Sequence, residues 1–223
     1  MVGGLALRDG LRRPEVTELT SIGRRRTGVE DPKLTEILHR DFTDYGPIAS
    51  HFDHCDAALF CLGAYTGAVP DRELREITVD YPVAFADALY AGSPDAAICL
   101  LSGQGSDPTG RSRIAFARYK GEAEKALLAR GFPRVHIFRP GYIYPVTPRR
   151  EPNLGYRIFR WLYPGLRLLY PNIGIPSDDL ARAMVDAGLH GVPDHPSPVL
   201  ENRDIRALAN RDRDGAPEER DAR

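Results

Sequence analysis

Charge of one sign does not accumulate in this sequence. Its 30 lysines and arginines face 31 aspartates and glutamates, a formal net charge of −1 over 223 residues. So balanced a surface exerts no overall pull on nucleic acid or on an anionic membrane, and neither is expected as a partner. Cysteine is scarce too. Cys55, Cys61 and Cys99 are the only three, and their spacing suits neither a redox pair nor a zinc site. So few thiols suit a reduced, cytoplasmic protein. No apolar run approaches the roughly 20 residues that cross a bilayer, and the opening residues lack the apolar core of a secretory leader. No internal repeat is visible. The length is ample for one hydrophobic core, so a single globular domain is expected.

What is present is an alternation of strand-like and helix-like segments. Residues 4–13 read as a short helix stopped by Pro14. Residues 15–23 and 34–42 read as strands. Residues 56–63 and 96–103 are continuous apolar runs ending in glycine, as buried parallel strands do. Residues 71–91 read as a helix with a kink at Pro82. Residues 111–131 form a strong helical pattern ended by Gly131, and 134–145 a strand running into Pro140-Gly141. Strands separated by helices mean right-handed crossovers and an α/β, Rossmann-like, doubly wound parallel sheet covered on both faces. The domain is expected to span 1–208. Within it, 146–175, with its aromatic run 153–171, reads as a small helical cap, and an interfacial membrane helix is the weaker alternative. Residues 175–191 read as a helix with Ser177 as N-cap. Residues 209–223 are charged, without apolar periodicity, and read as a disordered tail.

Several segments carry chemistry. Val2-Gly3-Gly4 precedes a helix, where a dinucleotide fold places glycines and the helix N-terminus against a pyrophosphate; a glycine-rich flexible terminus is the plainer use. The following strand ends Gly23-Arg24-Arg25-Arg26. In such folds this tip meets the adenosine ribose: an acid suits a free 2′-hydroxyl, arginines a 2′-phosphate. Arg24 and Arg25 therefore favour NADP(H) over NAD(H). Asp41 and Phe42 end the next strand, where an acid can meet the adenine amino group and a ring can flank the base; a helix N-cap is an equal use of Asp41. Leu62 and Gly63 end the first apolar strand at the carboxyl edge, where ligands bind. His51, His54 and Cys55 have the spacing of a helix face, but no other ligand cluster is near, and a surface turn rather than a metal site is expected.

The runs IGRRR, DF, FCLGAYTG, LLSGQGSDPTGRSRIAFARYKGEAEKAL and FRPGYIYP together resemble the atypical short-chain dehydrogenase/reductases, in particular the NAD(P)H-binding, Tat-interacting reductase-like group. The resemblance covers roughly residues 1–200. It implies a strand and G-x-x-G-x-x-G at the start of the fold. If Gly3 is the third glycine, the first strand and two glycines lie outside this sequence. That strand is central in the order 3-2-1-4-5-6, so two inner strand edges are expected to lack a partner, with poor folding or a replacement segment as the result. The resemblance also implies a catalytic Ser, Tyr and Lys. Lys120 matches the lysine and Ser102 the serine. The tyrosine position is Phe116, which has no proton to give. Tyr119 projects about 100° from Lys120 around the helix and could substitute only after a backbone shift. Pro140 and Gly141 match the backbone that meets the nicotinamide carboxamide, with Tyr142 and Tyr144 close by. Three outcomes stay open: an NADP(H)-dependent oxidoreductase or epimerase-like enzyme acting on an unidentified small molecule, a non-catalytic dinucleotide sensor or scaffold, or a nonfunctional fragment. A homodimer stays open as well.

Overall fold

In the computed structural model residues 1–64, 67–146, 171–193 and 195–215 are described. The elements follow the alternation read from the sequence. They are α1 (Val2–Arg12), β1 (Leu19–Gly23), β2 (Leu34–Leu38), β3 (Ala57–Phe60), α2 (Asp71–Arg75), α3 (Tyr81–Gly92), β4 (Ala97–Leu101), α4 (Ala115–Ala129), β5 (Arg134–Arg139), β6 (Tyr142–Tyr144), β7 (Gly174–Pro176), α5 (Ser177–His190), β8 (Val199–Glu201) and α6 (Asn202–Gly215). All strand pairs are parallel.

The strands form three sheets: β1-β2, β3-β4-β5-β8 and the short pair β6-β7. Two cores lie on the two faces. On one, α1, α5 and α6 pack Val2, Ala6, Met184, Ile205 and Leu208 against Cys99, Phe138 and Leu200 of the sheet. Small residues let α5 approach closely: a Cβ on Gly188 would stand 3.2 Å from Leu59 Cδ1. On the other face, α3, α4 and a 3-10 segment (Gly46–Phe52) contribute Phe52, Ala86, Leu89, Ala123 and Leu127, packed on Phe60, Ile98, Leu100 and Ile137. Four of the five residues of β4 are fully covered, as its apolar run predicts.

The expected order is met, with one interruption. Residues β2-β1 on one side and β3-β4-β5-β8 on the other follow the doubly wound sequence, but β1 and β3 are not hydrogen-bonded to each other. The helix α1 joins the two groups. Its Gly3 lies beside Cys61 after β3, and its Gly10 beside Leu19 of β1. The parallel strands are thus split into two groups between β1 and β3.

Other departures have local causes. The kink expected at Pro82 is a π-turn over Glu76–Asp80. Proline has no N–H to give Thr78, and the Tyr81 N–H instead reaches back five residues to the Glu76 carbonyl. Ser177 is not the N-cap of α5; Pro176 is, and the buried Ser177 hydroxyl accepts the Val146 N–H at 3.3 Å. Residues 209–215, expected to open the tail, are helical instead. Ile205, Leu208 and Ala209 share one buried face, so α6 continues to Gly215. Residues 216–223, and the aromatic run 153–170 of the expected cap, lie outside the described residues.

Candidate functional site

The carboxyl ends of β3, β4 and β5 converge on α4. The segment 102–114 leaves β4 and is pinned before it enters the helix. Asp107 accepts the Thr109 N–H, the Thr109 hydroxyl and the Ser112 N–H at 2.9, 2.6 and 2.6 Å, which holds its carboxyl below the usual range. The Asp107 N–H donates to the Ala117 carbonyl at 2.9 Å. Here α4 needs glycine: a Cβ on Gly121 would stand 2.1 Å from the Asp107 carbonyl carbon. The next residue back, Lys120, is thereby driven inward.

Lys120 is 7% exposed, and its Nζ donates to the Leu101 carbonyl at 2.9 Å. The ammonium also lies 5.8 Å from the centre of the Phe116 ring, within cation–π range. Burial pulls its pKa down to about 8, against the raising influence of Glu124 and Cys61. The unfolded lysine therefore binds more protons than the folded one between about pH 8 and its ordinary value of 10.5, so stability should rise with pH across that window. Buried Cys61 and Cys99, kept neutral in the fold, work the other way above about pH 9, so the test is a difference: urea unfolding at pH 7.5 and 10 should show the wild type gaining stability relative to Lys120→Met as pH rises. An unchanged slope in the variant would mean that Lys120 titrates normally.

The other residues of the expected catalytic set do not join it. The Ser102 hydroxyl is buried and turned into the protein, donating to Glu124. Tyr119 donates its hydroxyl to Asp71 on α2 at 2.8 Å, away from Lys120, and so is no substitute for the missing acid. Phe116 lies near Gly103, 3.6 Å from where a Cβ would be. Beneath the site, Glu124 is 1% exposed and carries two arginine contacts, Arg139 Nε at 3.1 Å and Nη2. Arg139 continues to Glu201 of β8 at 3.1 Å. This Ser102–Glu124–Arg139–Glu201 chain locks the ends of β4, β5 and β8 together.

Pro140 and Gly141 sit at the expected edge, with their backbone engaged. Pro140 accepts the Gln104 N–H at 2.9 Å, and the Gly141 N–H donates to Asn202 at 3.0 Å. Gly141 has no room for a side chain, its Cβ position lying 2.6 Å from the Ile173 carbonyl oxygen. Tyr142 and Tyr144 are half-buried on β6, paired with β7.

At the other end of the site, Arg24 and Arg25 are exposed beyond β1 and form no ion pair among the described residues, whereas Arg26 pairs with Glu36 at 3.5 Å. Asp41 is exposed and caps its own turn through the Thr43 N–H and hydroxyl, at 3.0 and 2.6 Å. Phe42 is 2% exposed, in a cluster with His39, Tyr45 and Tyr81. It cannot flank a base itself, which corrects that expectation. The ring that reaches the surface here is Tyr81, whose hydroxyl feels both Arg24 and Asp41. Tyr81, Glu124 and Asn202 escaped the sequence reading, because none belongs to a motif and each acquires its partner only through the fold. Between the two ends lie Gly3, Leu62 and Gly63; Leu62 is half-buried, and beside Gly63 there is open space. The first turn of α1 has no side-chain cap and no acidic residue. Cys61, beside Gly3, has its thiol pushed up to about 12 by burial and is a neutral filler. His51 lies in the last turn of the 3-10 segment, and His54 follows with φ +59°.

No protein-family model matches the chain. Curated proteins it is similar to include "Protein fmp52, mitochondrial" of Emericella nidulans, 26% identical over 198 residues (85% of this chain, 83% of that one), and "Protein HTATIP2" of Rattus norvegicus, 26% identical over 216 residues (96% and 86%). Solved structures share the fold at lower identity. The Bordetella bronchiseptica enzyme WbmG in complex with NAD superposes with a TM-score of 0.62 at 16% identity, over 98% of this chain and 76% of that one. A putative NAD-dependent epimerase/dehydratase from Bacillus halodurans gives 0.60 at 13% identity, over 86% and 84%. Among the described residues no helix is long and apolar enough to cross a membrane.

Proposed function

We propose that the chain, an atypical short-chain dehydrogenase/reductase by its sequence relatives and its fold, binds NADP(H) along the carboxyl edge of its sheet without a proton donor in the usual place. The single observation that carries this reading is Lys120, a buried ammonium at the end of β4 that faces Phe116 where a hydroxyl would stand. The residues present fit a dinucleotide. Arg24 and Arg25 offer cations for a 2′-phosphate, and Tyr81, whose hydroxyl feels both Arg24 and Asp41, stands ready for the adenosine. The uncapped first turn of α1 at Gly3, with the open space at Leu62-Gly63, suits a pyrophosphate. Lys120 would hold the nicotinamide ribose and Pro140-Gly141 the far edge of the ring. When bound, the nicotinamide supplies a hydride. This chain's own groups bind and orient; Ser102 is spent on Glu124 and Tyr119 on Asp71, so neither of these two hydroxyls serves the reacting oxygen. The protein resides in a reducing compartment, the cytoplasm, as its three unpaired thiols suit.

Calorimetry with NADPH and NADH tests the binding half. NADPH should bind more tightly, and Arg24→Ala should weaken NADPH by about tenfold through loss of a charge-assisted contact while leaving NADH unchanged. Equal binding of the two cofactors would overturn the preference. The chemical half rests on Phe116→Tyr: the variant should gain slow NADPH-dependent reduction of an aldehyde panel that the wild type leaves untouched. Turnover by the wild type would show that another group donates the proton.

A further inference from the structure

We propose that Glu124 is a positioning residue for Lys120: its buried carboxylate is the anion that holds the ammonium at the carboxyl end of β4, and Arg139 competes with Lys120 for that carboxylate. The consequence for the dinucleotide rests on the binding reading above; the effect on Lys120 itself does not.

The first support is geometric. Lys120 and Glu124 stand four residues apart on α4, so they share one face of the helix. Both are buried. They take hold of consecutive residues: the Lys120 Nζ donates to the Leu101 carbonyl at 2.9 Å, and the Ser102 hydroxyl donates to Glu124. The Ser102 N–H donates to the Phe138 carbonyl at 2.8 Å, which ties this stretch of chain to β5. Cation and anion are thereby fixed at one strand end. The helix cannot slide to part them, because Gly121 between them is packed against the Asp107 carbonyl group.

Charge supplies the second support. A buried ammonium gives up its proton unless an anion stands near. Two titratable groups act on Lys120: Glu124 from its own helix and Cys61 from the end of β3. The Cys61 thiol, pushed up to about 12 by burial, is neutral while Lys120 titrates, so the opposing charge is that of Glu124. The Phe116 ring faces the ammonium from the preceding turn and carries no charge. Glu124 is shared, however. Arg139 on β5 approaches it through Nε at 3.1 Å and through Nη2, and is itself drawn outward by Glu201 at 3.1 Å. Two changes that break the same Glu124–Arg139 pair therefore have opposite consequences for Lys120. Without the carboxylate, Lys120 is left with an uncompensated guanidinium in its surroundings. Without the guanidinium, it has the carboxylate to itself. A residue that only braced the strand ends would act alike in both.

The sequence has three lysines, Lys33, Lys120 and Lys125. Carbon-13 labelling of the lysine side chains therefore gives three NMR signals whose titration can be followed in the full chain, and Lys120→Met assigns the one of interest. Glu124→Gln should lower the Lys120 midpoint by about one pH unit, and Arg139→Gln should raise it by a similar amount. Glu201→Gln changes only the half-exposed end of the network and is the variant to read if the other two do not fold. It gives Arg139 wholly to Glu124 and should also lower the midpoint, by less. A midpoint that moves the same way in Glu124→Gln and Arg139→Gln, or in neither, overturns the proposal. So does a Glu201→Gln midpoint at or above that of the wild type. Calorimetry with NADPH on the same variants reads the consequence: the pH at which affinity falls should follow the midpoints. If the midpoints move as stated and the affinity does not follow, the coupling stands, and it is the ribose role of Lys120 that fails.

Discussion

Arg139→Met should destabilise the fold by about 3–5 kcal/mol, the cost of leaving a buried charge without its counter-ion. Glu124 is 1% exposed, and both of its oxygens contact Arg139. Methionine keeps the length of the stem but removes every arginine donor, so the carboxylate retains the Ser102 hydroxyl as its hydrogen bond and the Lys120 charge nearby. The partner deletion, Glu124→Leu, should cost less. Arg139 then still has Glu201, whose side chain is half exposed and reached at 3.1 Å, and the arginine can turn toward water. The double variant should be more stable than the sum of the two losses predicts, because neither buried charge remains. Urea unfolding at pH 7 of the four proteins closes the cycle. Additive losses would show that the pair is not coupled.

Gly121→Ala is the second large effect. The new methyl would overlap the Asp107 carbonyl group and stand 2.4 Å from the Pro108 nitrogen. These are backbone atoms in a turn fixed by Thr109 and Ser112, so no side-chain rotation relieves the overlap. Either α4 or the turn must shift, at a cost of about 3 kcal/mol. Because Lys120 precedes Gly121, the same shift moves its ammonium off the Leu101 carbonyl. Urea unfolding should show the destabilisation, and calorimetry a matching loss of NADPH affinity. A variant as stable as the wild type would mean that the turn yields freely. Gly4→Ala is the control for stability, since nothing lies within 4 Å of its Cβ position.

The parallel order was legible because β3 and β4 are nearly pure apolar runs, and such runs have one use in an α/β fold. Lys120 was singled out by its match to the lysine of the motif. What was not legible depended on contacts across the chain. Ser102 matches a catalytic serine in sequence, but its hydroxyl direction is set by Glu124, 22 residues away. Phe42 sits at a strand end, yet the aromatic cluster with Tyr45 and Tyr81 draws it inward. The helix α6 was hidden because only Ile205, Leu208 and Ala209 break its charged surface. That is too short a stripe to stand out without the sheet it covers.

Strands β1 and β3, half-buried on either side of the split, also leave a thermodynamic signature. Apolar surface already in contact with water in the native state adds nothing on unfolding, so the denaturant dependence and the heat-capacity increment both fall short of those of an uninterrupted sheet. Closing the interval between β1 and β3 would raise both quantities together. A stabilising ligand bound elsewhere, to an already formed surface, would raise the midpoint of unfolding and leave them almost unchanged.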